Sequence, residues 1–221
     1  MSNTTQISSK YSHELNLIIK NPIFHPDILK TIKPLGFAVF TYILIESRGT
    51  LDANITISLI QKKLNIKTKQ PIINAIENLA KTKYITIQSQ SNETYTITLE
   101  MWDSIDKEIC GYTYIPAKEF YNNYIDENSW LIYIFLNKWW NKKYKSAKIT
   151  YSDLQDKICI SYPNAIQKSL QQLQDKKLIQ ITTRQKFRTP DKKFSSYSQE
   201  YRIPIREQFD KEYKNYMQNQ P

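Results

Sequence analysis

A chain of 221 residues, 40% of them hydrophobic, is long enough for one large domain or two ordinary ones. Its three glycines lie far apart, which excludes a Gly-rich phosphate loop. Its two cysteines are too few for a disulfide framework or a zinc ligand set. The formal net charge of +10 favours a polyanionic partner, nucleic acid before membrane.

The polar N-terminus carries no secretory signal, and the longest apolar run, Trp130 to Leu136, is too short to cross a bilayer. We therefore expect a cytoplasmic protein without membrane contact. Residues 1–12 are predicted to be a flexible arm. Leu15 to Ile19 is a predicted strand, and the prolines that follow it leave room only for short helical pieces such as Asp27 to Ile32.

From Gly36 to Glu46 the apolar residues recur at helical spacing and predict a helix. Ile55 to Ile57 then predicts a short strand, followed by two helices whose predicted N-caps are Ser58 and Thr68. A polar connection, Ser89 to Thr94, joins two alternating segments that predict a hairpin. These segments are Tyr84 to Gln88 and Tyr95 to Leu99.

The passage from Ile55 to Ile87 recurs without a gap as Ile149 to Ile181, with 11 of 33 aligned positions identical. Such a repeat fixes architecture before function is considered. Between the copies, Met101 to Gly111 reads as a linker. Tyr112 to Pro116 is a strand that echoes the first one.

A helix from Trp130 to Trp140, capped by Ser129, is apolar nearly all round. It is therefore predicted to be buried on more than one side, either between the two repeats or between two chains. Five lysines follow closely, and a solvated loop explains them as well as phosphate contact does. They are Lys138, Lys142, Lys143, Lys145 and Lys148.

In the second copy, a helix over Ser152 to Ile158 and another from Ser161 precede two strands that bracket a long basic tip, Arg184 to Gln199. The strands are predicted over Leu178 to Thr183 and Glu200 to Ile205. We predict an α+β, mainly helical fold: two winged helix-turn-helix domains in tandem that arose by internal duplication. The domains span residues 13–100 and 112–205, with a linker at 101–111 and a C-terminal helix or tail at 206–221.

In a helix-turn-helix, the second helix lays its N-terminal half into the major groove, where Asn, Gln, Lys and Arg can bond to base edges. Both copies have such residues on outer faces that the pattern predicts to be depleted of acids. The wing of the second copy adds basic side chains, whereas the first wing has one acid, Glu93, and no base. The predicted DNA-binding residues are Lys67, Lys69, Gln70, Asn74, Tyr162, Asn164, Gln167, Lys168, Gln171, Arg184, Lys186, Arg188, Lys192 and Lys193.

Catalytic constellations are not found in the sequence. The two histidines, His13 and His25, both lie in the irregular N-terminal region, and no paired carboxylates, catalytic triad or metal-ligand spacing emerges. We therefore expect a protein that is not an enzyme and that needs no metal or cofactor.

The segment Lys10-Tyr11-Ser12-His13-Glu14-Leu15-Asn16, together with the tandem repeat, resembles the two-winged-helix replication initiators of plasmids. The strand Tyr114-Ile115-Pro116 before the long apolar helix is also similar to phage replisome organisers and to the N-terminal domains of DnaD-type primosome proteins. The resemblance implies a plasmid or mobile-element replication initiator that binds repeats at an origin.

Two alternatives stay open. One is a transcriptional regulator or conjugation accessory protein with the same DNA chemistry, and the other is a primosome-type scaffold whose winged domains bind protein. Double-stranded DNA is the expected partner. A second copy of the chain, through the Trp130–Trp140 helix or the C-terminal tail, and replisome proteins are further expected partners.

Overall fold

A computed structural model describes residues 16–20, 26–47, 52–91, 93–99, 112–116, 120, 125–141, 143–160, 162–183 and 198–207. The fold is α+β, as predicted, with helices at its centre and small antiparallel sheets around them. The predicted arm 1–12, the linker 101–111 and most of the tail 206–221 lie outside the described residues, so the domain boundaries stay a prediction.

The elements follow one another in the same order in both halves. The first half consists of β1 (Asn16–Lys20), α1 (Pro26–Glu46), β2 (Asp52–Thr56), α2 (Ile57–Leu64), α3 (Gln70–Lys81), β3 (Ile85–Ser91) and β4 (Thr94–Leu99). The second half consists of β5 (Tyr112–Pro116), α4 (Glu127–Lys138), β6 (Trp140–Asn141), β7 (Ser146–Thr150), α5 (Tyr151–Ile158), α6 (Pro163–Asp175), β8 (Gln180–Thr183) and β9 (Ser198–Arg202). Among the described residues, the short strand β6 has no counterpart in the first half.

Equivalent elements of the two copies agree residue by residue. With 94 subtracted, β7 and α5 have the same bounds as β2 and α2. The left-handed residues also coincide: Asn65 (φ 53°) corresponds to Cys159 (φ 56°), and Lys83 (φ 59°) to Lys177 (φ 58°). The sheets repeat too, since β2-β4-β3 has the same order as β7-β9-β8. The aligned sequences therefore specify the same local backbone.

Strands β1 and β5 join the two halves. They pair antiparallel, with Ile18 opposite Tyr114, Asn16 opposite Pro116 and Lys20 opposite Tyr112. The N-terminal end of each strand thus lies beside the C-terminal end of the other. Two equivalent strands related by a two-fold axis pair in this way. Helices α1 and α4, which follow these strands, also pack on each other.

Helix α1 is bent in its first half. Lys33 leaves the helical region (φ 59°, ψ 171°) because Pro34 follows it, and a residue before proline is sterically kept out of the α conformation. The short piece predicted over Asp27 to Ile32 is thereby confirmed, continuous with the helix predicted from Gly36. A side chain at Gly36 would crowd Ile32, since an added Cβ would lie 3.0 Å from the Ile32 Cβ.

By length and composition, the stretch Asp27–Glu46 is apolar enough to cross a membrane, which the sequence reading did not anticipate. However, 67% of its most apolar part is buried inside the protein. That burial is compatible with a soluble protein whose core helix is α1.

Helix α4 is buried from Ser129 to Asn137, as its unbroken apolar run predicted. It packs on α1 of the first half and on α5 and α6 of the second. At the contact with α1, Trp130 is 1% exposed and its Nε1 donates a hydrogen bond of 3.2 Å to Thr41 Oγ1. The predicted burial between the two repeats is therefore confirmed.

Some of the 11 residue pairs that are identical in the two copies belong to the core. Four of the identical pairs are buried in both copies, and they are Ile55 and Ile149, Ile72 and Ile166, Leu79 and Leu173, and Ile85 and Ile179. Because a buried side chain must fit its neighbours at close-packed density, these positions hold the helices and sheet in place. The positions that are identical in the two copies therefore include equivalent core positions.

Candidate nucleic-acid interface

The turn between α2 and α3 is held by Gln61. Asn65 adopts the left-handed conformation and, with Ile66, donates its backbone N–H to Gln61 O. The Gln61 side chain reaches across the turn, and its Nε2 donates to Lys67 O at 3.2 Å. Asn tolerates a positive φ better than most residues, so the sequence Asn65-Ile66-Lys67 makes a fixed corner between the two helices.

In the first copy, the predicted site residues Lys67, Lys69, Gln70 and Asn74 are all exposed at the start of α3. Gln70 Nε2 donates to Asn74 Oδ1 at 2.8 Å, which orients both amides on one face. Lys69, however, forms an ion pair with Glu93 of the hairpin turn. The role of these four residues in DNA binding stays a prediction, and one of the two lysines already has an acidic partner.

In the second copy, the predicted residues Tyr162, Asn164, Gln167 and Lys168 are exposed along the first two turns of α6. Tyr162 is the N-cap residue and is 75% exposed, an unusual position for a large aromatic side chain. Below it, the Tyr151 hydroxyl donates to Pro163 O and fixes the helix start on α5.

Gln171 is also exposed, and its Nε2 donates to Asp175 Oδ1 at 2.8 Å. The next residue, Gln172, is polar as well but faces the protein. Its Oε1 accepts from Asp126 N at 3.0 Å, so it anchors the start of α4 on α6. The outer face of α6 is therefore narrower than the sequence pattern predicted.

The two wings differ, although the tip of the second lies outside the described residues. Arg184, Lys186, Arg188, Lys192 and Lys193 all belong to that tip, so their placement stays a prediction. The first hairpin is tighter than predicted, since β3 runs to Ser91 and β4 begins at Thr94. A register shift between Ile87 and Ser89 accommodates the extra residue.

Charge separates the copies in a way that the sequence reading missed. The first helix pair, residues 57–81, carries five lysines against Glu77, a net charge of +4. The second pair, residues 151–175, carries two lysines against three aspartates, a net charge of −1. The acids of the two pairs that are exposed include Glu77 on α3 and Asp153 and Asp156 on α5.

Two lysines on α2, Lys62 and Lys63, are exposed and were not among the predicted site residues. In a helix-turn-helix this first helix braces the phosphate backbone, so they are candidates for phosphate contact. Their aligned partners are Asp156 and Lys157. Counting charge copy by copy, instead of over the whole chain, would have found them.

The outward-facing residues of the two copies differ, whereas the four buried pairs named above are identical. Ile73 aligns with Gln167, Asn74 with Lys168, and Glu77 with Gln171.

Among the residues that the structure describes, no group of three or more His, Cys, Asp or Glu side chains could hold a metal ion. A comparison with known protein-family models and with curated proteins finds no match.

Proposed function

We propose that this chain is a sequence-specific, double-stranded DNA-binding protein without catalytic activity, built from two winged helix-turn-helix units in tandem. The observation that carries the proposal is the repeated unit of two helices joined at a fixed left-handed corner, followed by a hairpin. In both copies the second helix begins with exposed polar side chains that no core contact requires, which is what base readout in a major groove needs.

The approximate two-fold relation between the halves supports a bipartite target. Each half brings one helix pair, and the paired strands β1 and β5 relate them as the subunits of a dimer are related. Because the outer faces of α3 and α6 differ, we propose two dissimilar half-sites instead of a perfect palindrome. One chain then reads the whole site by itself.

Within this class we propose a replication initiator of a plasmid or mobile element, acting in the cytoplasm on repeats at an origin. A transcriptional regulator or transfer accessory protein would use the same surfaces. The two are separated by selecting bound fragments from the host replicon and sequencing them. Enrichment of origin repeats supports the initiator, and enrichment of promoters or transfer origins contradicts it.

The DNA-binding proposal is tested by measuring affinity for a selected fragment at several salt concentrations. Replacing Gln167 and Lys168 by Ala should weaken binding to the selected site more than to random duplex. Deleting residues 184–193 should weaken binding to all sequences alike and flatten the salt dependence. Unchanged affinity after both changes would contradict the assignment of α6 and its wing.

A second candidate, a primosome-type scaffold, is favoured by one observation. The Glu93 carboxylate holds Lys69 at the start of α3, so the wing of the first copy removes a cation from the DNA-facing end of that helix. A scaffold would bind duplex DNA no better than micromolar at physiological salt, with a shallow salt dependence. That result would favour the scaffold over a DNA-binding protein.

A further inference from the structure

A second group of lysines and aromatic rings lies on elements other than α3 and α6. We call it the aromatic–lysine patch, and it comprises Lys138, Trp139, Lys143, Tyr144, Lys148 and Lys157. Trp139 is 41% exposed and Tyr144 is 50% exposed, although a soluble protein gains by burying such rings. Neither ring has a role in the duplex-binding surfaces described above.

The patch has a defined backbone. Strands β6 and β7 form a hairpin in which Trp140 lies opposite Ala147 and Asn141 opposite Ser146. The Asn141 Oδ1 atom closes the loop by accepting from Lys143 N at 2.9 Å and from Tyr144 N at 3.3 Å. Tyr144 is therefore presented on a turn that its own hydrogen bonds hold in shape.

Each of the two exposed rings has an ammonium group over it. Lys148 Nζ lies 3.9 Å from the centroid of the Tyr144 ring, and Lys157 Nζ lies 5.2 Å from the centroid of the Trp139 ring. Such contacts hold the lysine stems against the rings and place positive charge beside exposed aromatic surface. Ring and cation are then available to one ligand together.

Two lysines of the patch, Lys138 and Lys157, repel each other electrostatically. The pKa of Lys138 is lowered, first by burial and then by the positive charge of Lys157. Within the described part of the chain, Lys143, Lys148 and Lys157 form no ion pair with a carboxylate. A bound anion would offset this repulsion, so the patch is electrostatically suited to a phosphate chain.

We propose that the aromatic–lysine patch binds single-stranded DNA, with unpaired bases stacking on Trp139 and Tyr144 and with phosphates bound by Lys143, Lys148 and Lys157. Exposed rings interleaved with cations are what a sequence-tolerant single-strand site requires. In a duplex the base faces are covered by their neighbours, so a duplex could use the lysines but not the rings. The proposal goes beyond duplex recognition and assigns the chain a second DNA contact.

The test uses the full chain and a fluorescent oligothymidine of about 20 nucleotides, with affinity measured by anisotropy. The double variant Trp139→Ala/Tyr144→Ala should bind the oligonucleotide about tenfold more weakly or worse, because it loses two stacking surfaces. Its affinity for the selected duplex should stay unchanged. Leu59→Ala, which alters another exposed apolar side chain, is the matched control and should change neither affinity.

A reciprocal variant separates the two sites. Tyr162→Ala should weaken duplex binding and leave oligothymidine binding unchanged, so a failure of the duplex proposal does not pass for a failure of this one. A direct readout is tryptophan fluorescence, because stacking on Trp139 should quench it in the wild type and not in Trp139→Phe. The Trp139→Phe variant retains Trp102, Trp130 and Trp140, so its emission measures the background from these three residues.

Four outcomes would overturn the proposal. They are no binding of oligothymidine at low salt, an unchanged affinity in the double variant, equal affinity for an abasic strand of the same length, and tighter binding of the matching oligouridine. The abasic result would mean that only phosphates are bound. The oligouridine result would assign the patch to RNA.

Discussion

The two helix pairs have the same backbone and opposite electrostatics. Residues 57–81 and 151–175 agree in the bounds of their first helices, in the left-handed corner and in several buried isoleucines and leucines, yet their net charges are +4 and −1. In the second copy, the sequence between β8 and β9 supplies positive charge instead, since it contains five basic residues and one acidic residue. The comparison teaches that two helix pairs with matching core residues can carry different surface charge, and that basic residues are placed on the helices in one copy and in the tip between two strands in the other.

The difference in charge between the two helix pairs also changes which copy we expect to bind DNA. In the sequence, the basic tip between the last two strands favours phosphate contact by the second copy. The exposed lysines of α2 make the helices of the first copy a second candidate for phosphate contact. We therefore expect both copies to hold the backbone, each by a different element.

The largest effect should come from separating the two copies at their shared core. Trp130→Ala removes a ring that packs against Phe120 at 4.6 Å between centroids and bonds to Thr41 across the interface. We expect a loss of about 3–5 kcal/mol in the free energy of unfolding, measured by urea denaturation. Trp139→Ala, at an exposed position, is the control and should cost roughly 0.5 kcal/mol or less.

A smaller and symmetric effect should come from the left-handed lysines. Lys83 and Lys177 end α3 and α6 with φ 59° and 58°, a conformation that costs a side chain about 1 kcal/mol relative to glycine. Lys83→Gly and Lys177→Gly should each stabilise the fold by up to about that amount. Thermal unfolding of both variants checks the equivalence of the copies, and effects of opposite sign would contradict it.

A modest effect on DNA affinity should follow from freeing Lys69. Glu93→Gln removes the acid that holds Lys69, so the affinity of the first copy for duplex should rise by roughly two- to fivefold, with a salt dependence steeper by about one phosphate. Binding isotherms at several salt concentrations measure both quantities. The same change in a Lys69→Gln background should have little effect; if it raises affinity equally, the ion pair is not the cause.

The smallest effect is the contribution of Tyr84, in the first copy, to the loss of stability at alkaline pH. Burial raises the pKa of Tyr84 from 10.0 to about 12, whereas the aligned residue is Leu178. Since the folded state keeps the proton longer than the unfolded state, this stability is present below pH 10 and is lost as the pH rises toward 12.

Tyr84→Leu, which borrows the residue of the second copy, should remove part of that alkaline loss, roughly a few tenths of a kcal/mol at pH 10. Urea denaturation at neutral and alkaline pH measures the difference. A variant whose stability falls with pH as steeply as the wild type would show that Tyr84 does not titrate in this range.

The element order of the fold was predictable because buried positions recur at fixed spacing in both copies. The residues at which the helices begin were less predictable. Ser58 and Ser129 were expected to be N-caps, but Thr56 and Asp126 occupy those positions, and Ser129 lies inside α4, where its backbone N–H donates to Asp126 Oδ1 at 2.7 Å. A capping residue is recognised by backbone geometry, which several neighbouring polar residues satisfy equally well in a sequence.

The candidate site was predictable only as a set of exposed polar residues. The partners of Lys69 and Gln172 lie 24 and 46 residues away, so no local pattern could show that one is ion-paired and the other turned inward. The aromatic–lysine patch escaped notice for a related reason. Trp139 was predicted to lie within the buried helix, which in fact ends at Lys138.

The pairing of β1 with β5 has a consequence for how the chain is made. Ile18 and Tyr114 are close to a hundred residues apart, so at a synthesis rate of about 5–20 residues per second β1 leaves the ribosome roughly 5–20 seconds before its partner strand. During that interval β1 is an unpaired edge open to the β5 of another chain. Exchange of this strand between neighbouring nascent chains would produce a swapped dimer that keeps every native contact.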